Sequence, residues 1–249
     1  MSSDRPTHDT TRSEGSPRRE RSAPWYVAGA FALTVAGIVA SILLSVPAFF
    51  VGIDTLVGFT LSIVLGEAGY ALVAVAFVVL TGRGLSSFGL GLPPSWGLVA
   101  LVTVGVFVFR TAVVVGAVVV GVEPSPPSIT GVDLPLETML AVLVPASLLV
   151  VGPAEELLFR GTVQPYLRER FSPNAAIVGA GVLFAAIHVF ALIVASPASA
   201  AVSLGVILVV GLAMGWLYER TGSVLAPMVA HGGYNALIFG SAYFLTRLV

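Results

Sequence analysis

The stretch "LETMLAVLVPASLLVVGPAEELLFRGTVQPY", residues 136–166, is apolar for most of its length, yet Glu155, Glu156 and Arg160 stand in its second half. As one helix rising 1.5 Å per residue it reaches about 46 Å, more than the roughly 30 Å core of a bilayer. It is therefore long enough to tilt across a membrane or to begin as a surface segment. A transmembrane β-strand needs only about ten residues of alternating polarity. This run is continuous and far longer, so it reads as helix.

Working outward, similar runs lie at 25–50, 56–80, 96–121, 173–195, 199–218 and 222–246. Together they predict an all-α, polytopic membrane bundle of about seven transmembrane helices. The composition agrees: 57% of the residues are hydrophobic and only 10% charged, against roughly 25% charged in a soluble domain. Breaks such as "TGRGLSSFGLGLPPS", "RERFSPN", "SPAS" and "ERTGS" are short and rich in Gly, Pro and charge, so consecutive helices must pack as antiparallel neighbours. There is no cysteine, which excludes disulfides, thiolate metal sites, a cysteine nucleophile and lipidation on cysteine.

Residues 1–24 are polar, rich in Ser, Thr, Pro and mixed charge, and read as a disordered tail. The run from Trp25 is too long for a signal-peptide core and is expected to remain as an anchor. Cytoplasmic loops accumulate arginine. With the tail inside, Arg5, Arg12, Arg18, Arg19, Arg21, Arg83, Arg168, Arg170 and Arg220 are all cytoplasmic, and of the loop and terminal arginines only Arg247 is outside. The expected location is thus the cell membrane, multi-pass, with a cytoplasmic N-terminus. The chain divides into the tail, N-terminal membrane helices over 25–135, and a motif-bearing part over 136–249.

A charged side chain at the bilayer centre costs from about 2.5 kcal/mol upward on insertion scales, so each one needs a partner or a task. Glu67 and Arg110 each lie about eleven residues from the outer ends of their spans and match in depth, which predicts a structural ion pair between them. Glu156 and Arg160 are four apart and share a helical face. Glu155 points about 100° away, so a Glu–Arg pair leaves it unexplained. Two histidines also fall within spans. From the inner ends, Glu155 and Glu156 come to roughly 18–20 Å deep, His188 to about 22 Å, His231 to about 14 Å and Asn235, one turn on, to about 20 Å. Three helices thus bring Glu, His, His and Asn to one layer, which predicts a shared site.

These residues fall into three ordered motifs: "EELLFR" (EExxxR, from Glu155), "FAAIH" (FxxxH, from Phe184) and "HGGYN" (HxxxN, from His231). The pattern resembles the CAAX-protease and bacteriocin-processing family, also called Abi or CPBP, over roughly residues 136–246. The resemblance implies an intramembrane endopeptidase that hydrolyses a peptide bond with activated water. A carboxylate among apolar groups is a stronger base than one in water, so Glu155 is the candidate base, with His188 sharing the water. His231 and Asn235 would donate to the oxyanion, Glu156 with Arg160 would position the first helix of the site, and Phe184 would pack the pocket. The implied partners are the bilayer and a membrane-associated peptide or protein substrate, with no nucleic acid.

Two other readings use the same residues. Glu155, His188 and His231 would be the ligands of a zinc-dependent protease, but HExxH is missing and Arg160 disfavours a nearby cation, so no metal cofactor is expected. A transporter or immunity-type binding protein would use the polar layer without catalysis. Transporters often have repeated halves, and residues 25–130 contain no second copy of the motif block. There is also no GxGD or GxSG for aspartyl or serine chemistry.

Overall fold

The computed structural model describes residues 22–123 and 132–248. Within them the chain is helical and without strands. Most of the expected polar tail, residues 1–21, and most of the loop after the third span lie outside the described residues.

The first three spans form α1 (Ala23–Val51), α2 (Leu56–Leu80) and α3 (Trp96–Val119), within a few residues of their expected limits. Their starts follow local chemistry. The Thr55 hydroxyl accepts the Gly58 amide at 3.0 Å and the Ser95 hydroxyl accepts the Leu98 amide at 3.2 Å, so each caps an otherwise unpaired N–H. The helices α1 and α2 pack as an antiparallel hairpin. Trp25, Phe31, Ile42, Leu43 and Phe50 on α1 remain exposed, as expected of a helix whose outer face is solvated by lipid.

The run at 136–166 is one helical rod interrupted twice: α4 (Leu136–Ala146), a π turn (Ser147–Val151), α5 (Gly152–Leu158), a second π turn (Phe159–Val163) and α6 (Gln164–Arg168). Proline explains both interruptions. Pro153 and Pro165 lack an N–H, and their rings crowd the carbonyls four residues back, at Leu149 and Gly161, which lie inside the two π turns. The extra residue in each π turn rotates the following side chains relative to those before, so the EExxxR segment is framed by two changes of face.

The expected span 173–195 is not one helix. Helix α7 (Pro173–Ile187) ends after 15 residues. At its end the His188 ring Nδ1 donates to the Phe184 carbonyl at 2.8 Å, while the His188 backbone N–H turns to Ala185. The side chain thus takes the acceptor that the next helical bond would use. A short irregular segment leads to α8 (Pro197–Thr221), started by the Ser196 cap and ended by Gly222 in the left-handed conformation. The last helix is α9 (Leu225–Thr246), which packs against α3, α4, α5 and α8.

Among the described residues, five segments are long and apolar enough to cross a membrane: α1, α2, α3, the α4–α6 rod and α8. Two buried apolar clusters flank α9. One gathers Phe88, Leu158, Phe159, Val163, Phe184 and Val224; the other gathers Val99, Val106, Val210, Met214, Leu217 and Tyr234. The polar residues of interest lie where α5, α7 and α9 meet.

Candidate active site

The site is assembled by a backbone-to-backbone contact. A Cβ placed on Gly152 would lie 2.8 Å from the Gly232 amide and the Met228 carbonyl, and one on Gly232 would lie 2.7 Å from the Ser147 carbonyl. Only glycine allows α5 and α9 to approach so closely. That contact brings Glu155 and Glu156 against His231, the residue before Gly232.

Glu156 and Arg160 are both fully buried. The Arg160 Nη1 donates to Glu156 Oε1 at 2.9 Å, and its Nη2 donates to the Gly211 carbonyl on α8 at 2.7 Å. The same Glu156 oxygen accepts from His231 Nδ1 at 2.8 Å. The i,i+4 pair expected from the sequence is therefore present, and it has a third member. Glu156 orients an imidazole on another helix in addition to holding Arg160. A charge-assisted bond to Nδ1 fixes which nitrogen of His231 faces away. That nitrogen, Nε2, is 3.8 Å from Glu155 Oε2.

Glu155 is buried as well, and its Oε2 has no hydrogen-bond partner among the described residues. Burying an oxygen without a partner is unfavourable by roughly 1–3 kcal/mol. Glu67 Oε2 and Glu156 Oε2 share that condition; Glu155 in addition lines a cavity. This cavity, of about 240 Å³, also has His188, His231, Asn235, Phe184 and Tyr234 on its walls. Because a carbonyl can only accept, the His188 contact with Phe184 places the proton on Nδ1 and leaves the neutral ring's Nε2 as an acceptor. Phe184 is the shared packing surface. Its ring is edge-on to His231 at 5.6 Å and to Phe159 at 5.2 Å, tilted against His188 at 4.9 Å, and lies under the Arg160 guanidinium at 4.8 Å.

Six of the predicted site residues, Glu155, Glu156, Arg160, His188, His231 and Asn235, thus gather around one centre, with Phe184 among them. The Glu67–Arg110 ion pair does not form. Glu67 is within electrostatic reach of Glu155 and Tyr70 instead, while Arg110 lines a different cavity. Matching depths did not include azimuth, and the two helices turn these side chains to different neighbours. Tyr234 was not singled out from the sequence, although it lies inside the HGGYN motif beside Asn235. The approach of Glu67 to Glu155 was also missed; both are acidic residues near mid-span, which was the available signal.

Among the described residues no group of three or more His, Cys, Asp or Glu side chains is placed to hold a metal ion. The donor set Glu155, His188 and His231 also has the Arg160 cation behind it. These residues do not fit a zinc centre in this arrangement.

Residues 137–237 match the family model described as type II CAAX prenyl endopeptidase, Rce1-like. The matched segment runs from the start of α4 into α9 and includes all three motifs. No curated protein and no solved structure matches the chain.

Proposed function

We propose that this chain, whose residues 137–237 carry a Rce1-like type II CAAX prenyl endopeptidase domain, is a multi-pass membrane endopeptidase that hydrolyses a peptide bond with water activated by Glu155. The observation that carries the reading is the division of labour between adjacent glutamates. Glu156 is committed to Arg160 and His231, whereas Glu155 presents an unpartnered oxygen to a cavity lined by both histidines and Asn235.

In the proposed mechanism a water in this cavity gives one hydrogen bond to Glu155 Oε2 and the other to His188 Nε2. Glu155 takes the proton as the oxygen attacks the peptide carbonyl. The developing oxyanion is stabilised by the Asn235 amide and, in its protonated form, by His231. Glu155 then returns the proton to the departing amine, so that its carboxylate is restored, while His188 stays neutral and His231 keeps its proton throughout. Glu156 and Arg160 are positioning residues; their task is to hold the His231 ring against Glu155. Phe184 keeps the imidazoles in place. The chemistry needs no metal.

The substrate class is a membrane-associated peptide or protein. The N-terminus is cytoplasmic on the arginine distribution, and the count of seven spans adds α7, at 15 residues, and α9 to the five long apolar segments. The catalytic part is 136–249, with 25–135 forming the remainder of the bundle. Purified protein reconstituted in lipid and exposed to a library of membrane-anchored peptides is expected to produce internal cleavages, identified by mass spectrometry. The rate is expected to be unchanged after exhaustive chelation. Cleavage that stops on chelation and returns with zinc would replace this mechanism with a metal-dependent one.

A further inference from the structure

Tyr234 is the polar residue of the Glu155 cavity to which the mechanism above gives no task. It stands three residues after His231 on α9, and Asn235 stands four after. At about 100° per residue the two flank His231 on one helical face, about 60° to one side and 40° to the other. The Tyr234 ring is buried in the apolar cluster with Val106, Val210 and Ala230, which fixes the direction of the side chain. A buried tyrosine hydroxyl usually has a hydrogen-bond partner. Among the described residues this one has none.

Arg110 is in the same condition. It lies nine residues before the end of α3, about 14 Å into the helix, and among the described residues it has neither a hydrogen-bond nor an ion-pair partner. It is within electrostatic reach of Tyr234, and both line a second cavity, of about 310 Å³, that shares Tyr234 and His188 with the first. Glu123, the only carboxylate among the described residues lining that second cavity, is exposed beyond the end of α3 and is not within ion-pair distance of Arg110. An unpaired guanidinium in a membrane is costly and needs a task. Peptide hydrolysis supplies the missing anion, because negative charge develops on the carbonyl oxygen in the adjoining cavity and lasts only for that step. Groups that meet charge only as it develops lower the barrier without tightening the ground state.

On the peptidase reading above, we propose that Tyr234 is a further catalytic residue, whose hydroxyl donates a hydrogen bond to the oxyanion beside Asn235 and His231, and that Arg110 is a positioning residue that acts through Tyr234. The phenol keeps its proton: the O–H bond to the oxyanion forms as the carbonyl carbon becomes tetrahedral and is released when the carbonyl returns. The proton balance of the mechanism is therefore unchanged. A hydrogen bond to a charged acceptor is about twice as strong as one between neutral groups, and a cation near the hydroxyl favours the negative charge that it meets.

The experiment uses full-length protein in lipid nanodiscs, in excess over a membrane-anchored peptide that the wild type cuts, and measures the single-turnover rate constant at saturation and the half-saturating protein concentration. The rate constant does not depend on the fraction of folded protein, which sets only the amount cut. Tyr234→Phe keeps the ring and removes the hydroxyl. It is expected to lower the saturated rate constant about a hundredfold and to leave half-saturation within about twofold, because the bond is made only in the transition state. Arg110→Gln is expected to lower the rate about tenfold when Tyr234 is present and to add nothing in the Tyr234→Phe background, the signature of two residues acting through one bond. A Tyr234→Phe rate constant equal to wild type, a change confined to half-saturation, or an equal effect of Arg110→Gln in both backgrounds overturns the assignment while leaving the peptidase reading intact. Wild-type protein that cuts no peptide in the library overturns both.

Discussion

At the scale of the residue, the two adjacent glutamates are set apart by their partners. Glu156 is held by a guanidinium and an imidazole, both within 2.9 Å of one oxygen, and Glu155 has its Oε2 unpartnered. Replacing Glu156 by Gln removes the anion from a fully buried arginine, and breaking such a pair costs about 3–5 kcal/mol. Glu156→Gln is therefore expected to lower stability by that order, seen as a reduced midpoint in thermal unfolding in detergent; an unchanged midpoint would show that Arg160 does not depend on it. The i,i+4 relation was legible in the sequence because helical geometry dictates it. The bond from Glu156 to His231 was not, since 75 residues separate them and no local pattern encodes which ring nitrogen meets which carboxylate.

At the scale of the element, the site depends on interruptions in regular helix. Two π turns frame EExxxR and a side-chain bond ends α7 at His188. The first two could be traced to Pro153 and Pro165 only once the helix register was known. The stop at His188 had no breaker residue to announce it, so the sequence read a span continuing to residue 195. Glycine makes the central contact. Gly232→Ala would put a Cβ 2.7 Å from the Ser147 carbonyl and 3.0 Å from Leu148 Cα, neither of which is a flexible side chain. Overpacking of this kind costs about 1–3 kcal/mol. It is expected to move α9 from α5, lowering both stability and peptide cleavage. Gly205→Ala on α8 meets nothing within 4 Å and is the control: it should leave cleavage unchanged, and an equal loss in both variants would argue against the contact.

At the scale of the whole molecule, lipid replaces water as the solvent of the outer faces, and Glu155, His188, His231 and Asn235 gather at the cavity between α5, α7 and α9. The helical class and most boundaries could be read directly, because a run that must span hydrocarbon tolerates few alternatives. Orientation rests on arginine placement alone. The chain has no native cysteine, so single cysteines report topology directly. Asp54→Cys, between α1 and α2, is expected to react with an impermeant thiol reagent from outside intact cells. Ser86→Cys, between α2 and α3, should react only after the cytoplasm is opened. The reverse pattern would invert the proposed orientation.

The central claim is that Glu155 activates the water, and it is tested most directly by comparing wild type with Glu155→Gln in single-turnover cleavage of a membrane-anchored peptide, after chelation and with helicity checked by circular dichroism. The account predicts a fall of at least about a hundredfold in the cleavage rate of a protein that remains folded. Cleavage by folded Glu155→Gln at close to the wild-type rate would contradict it.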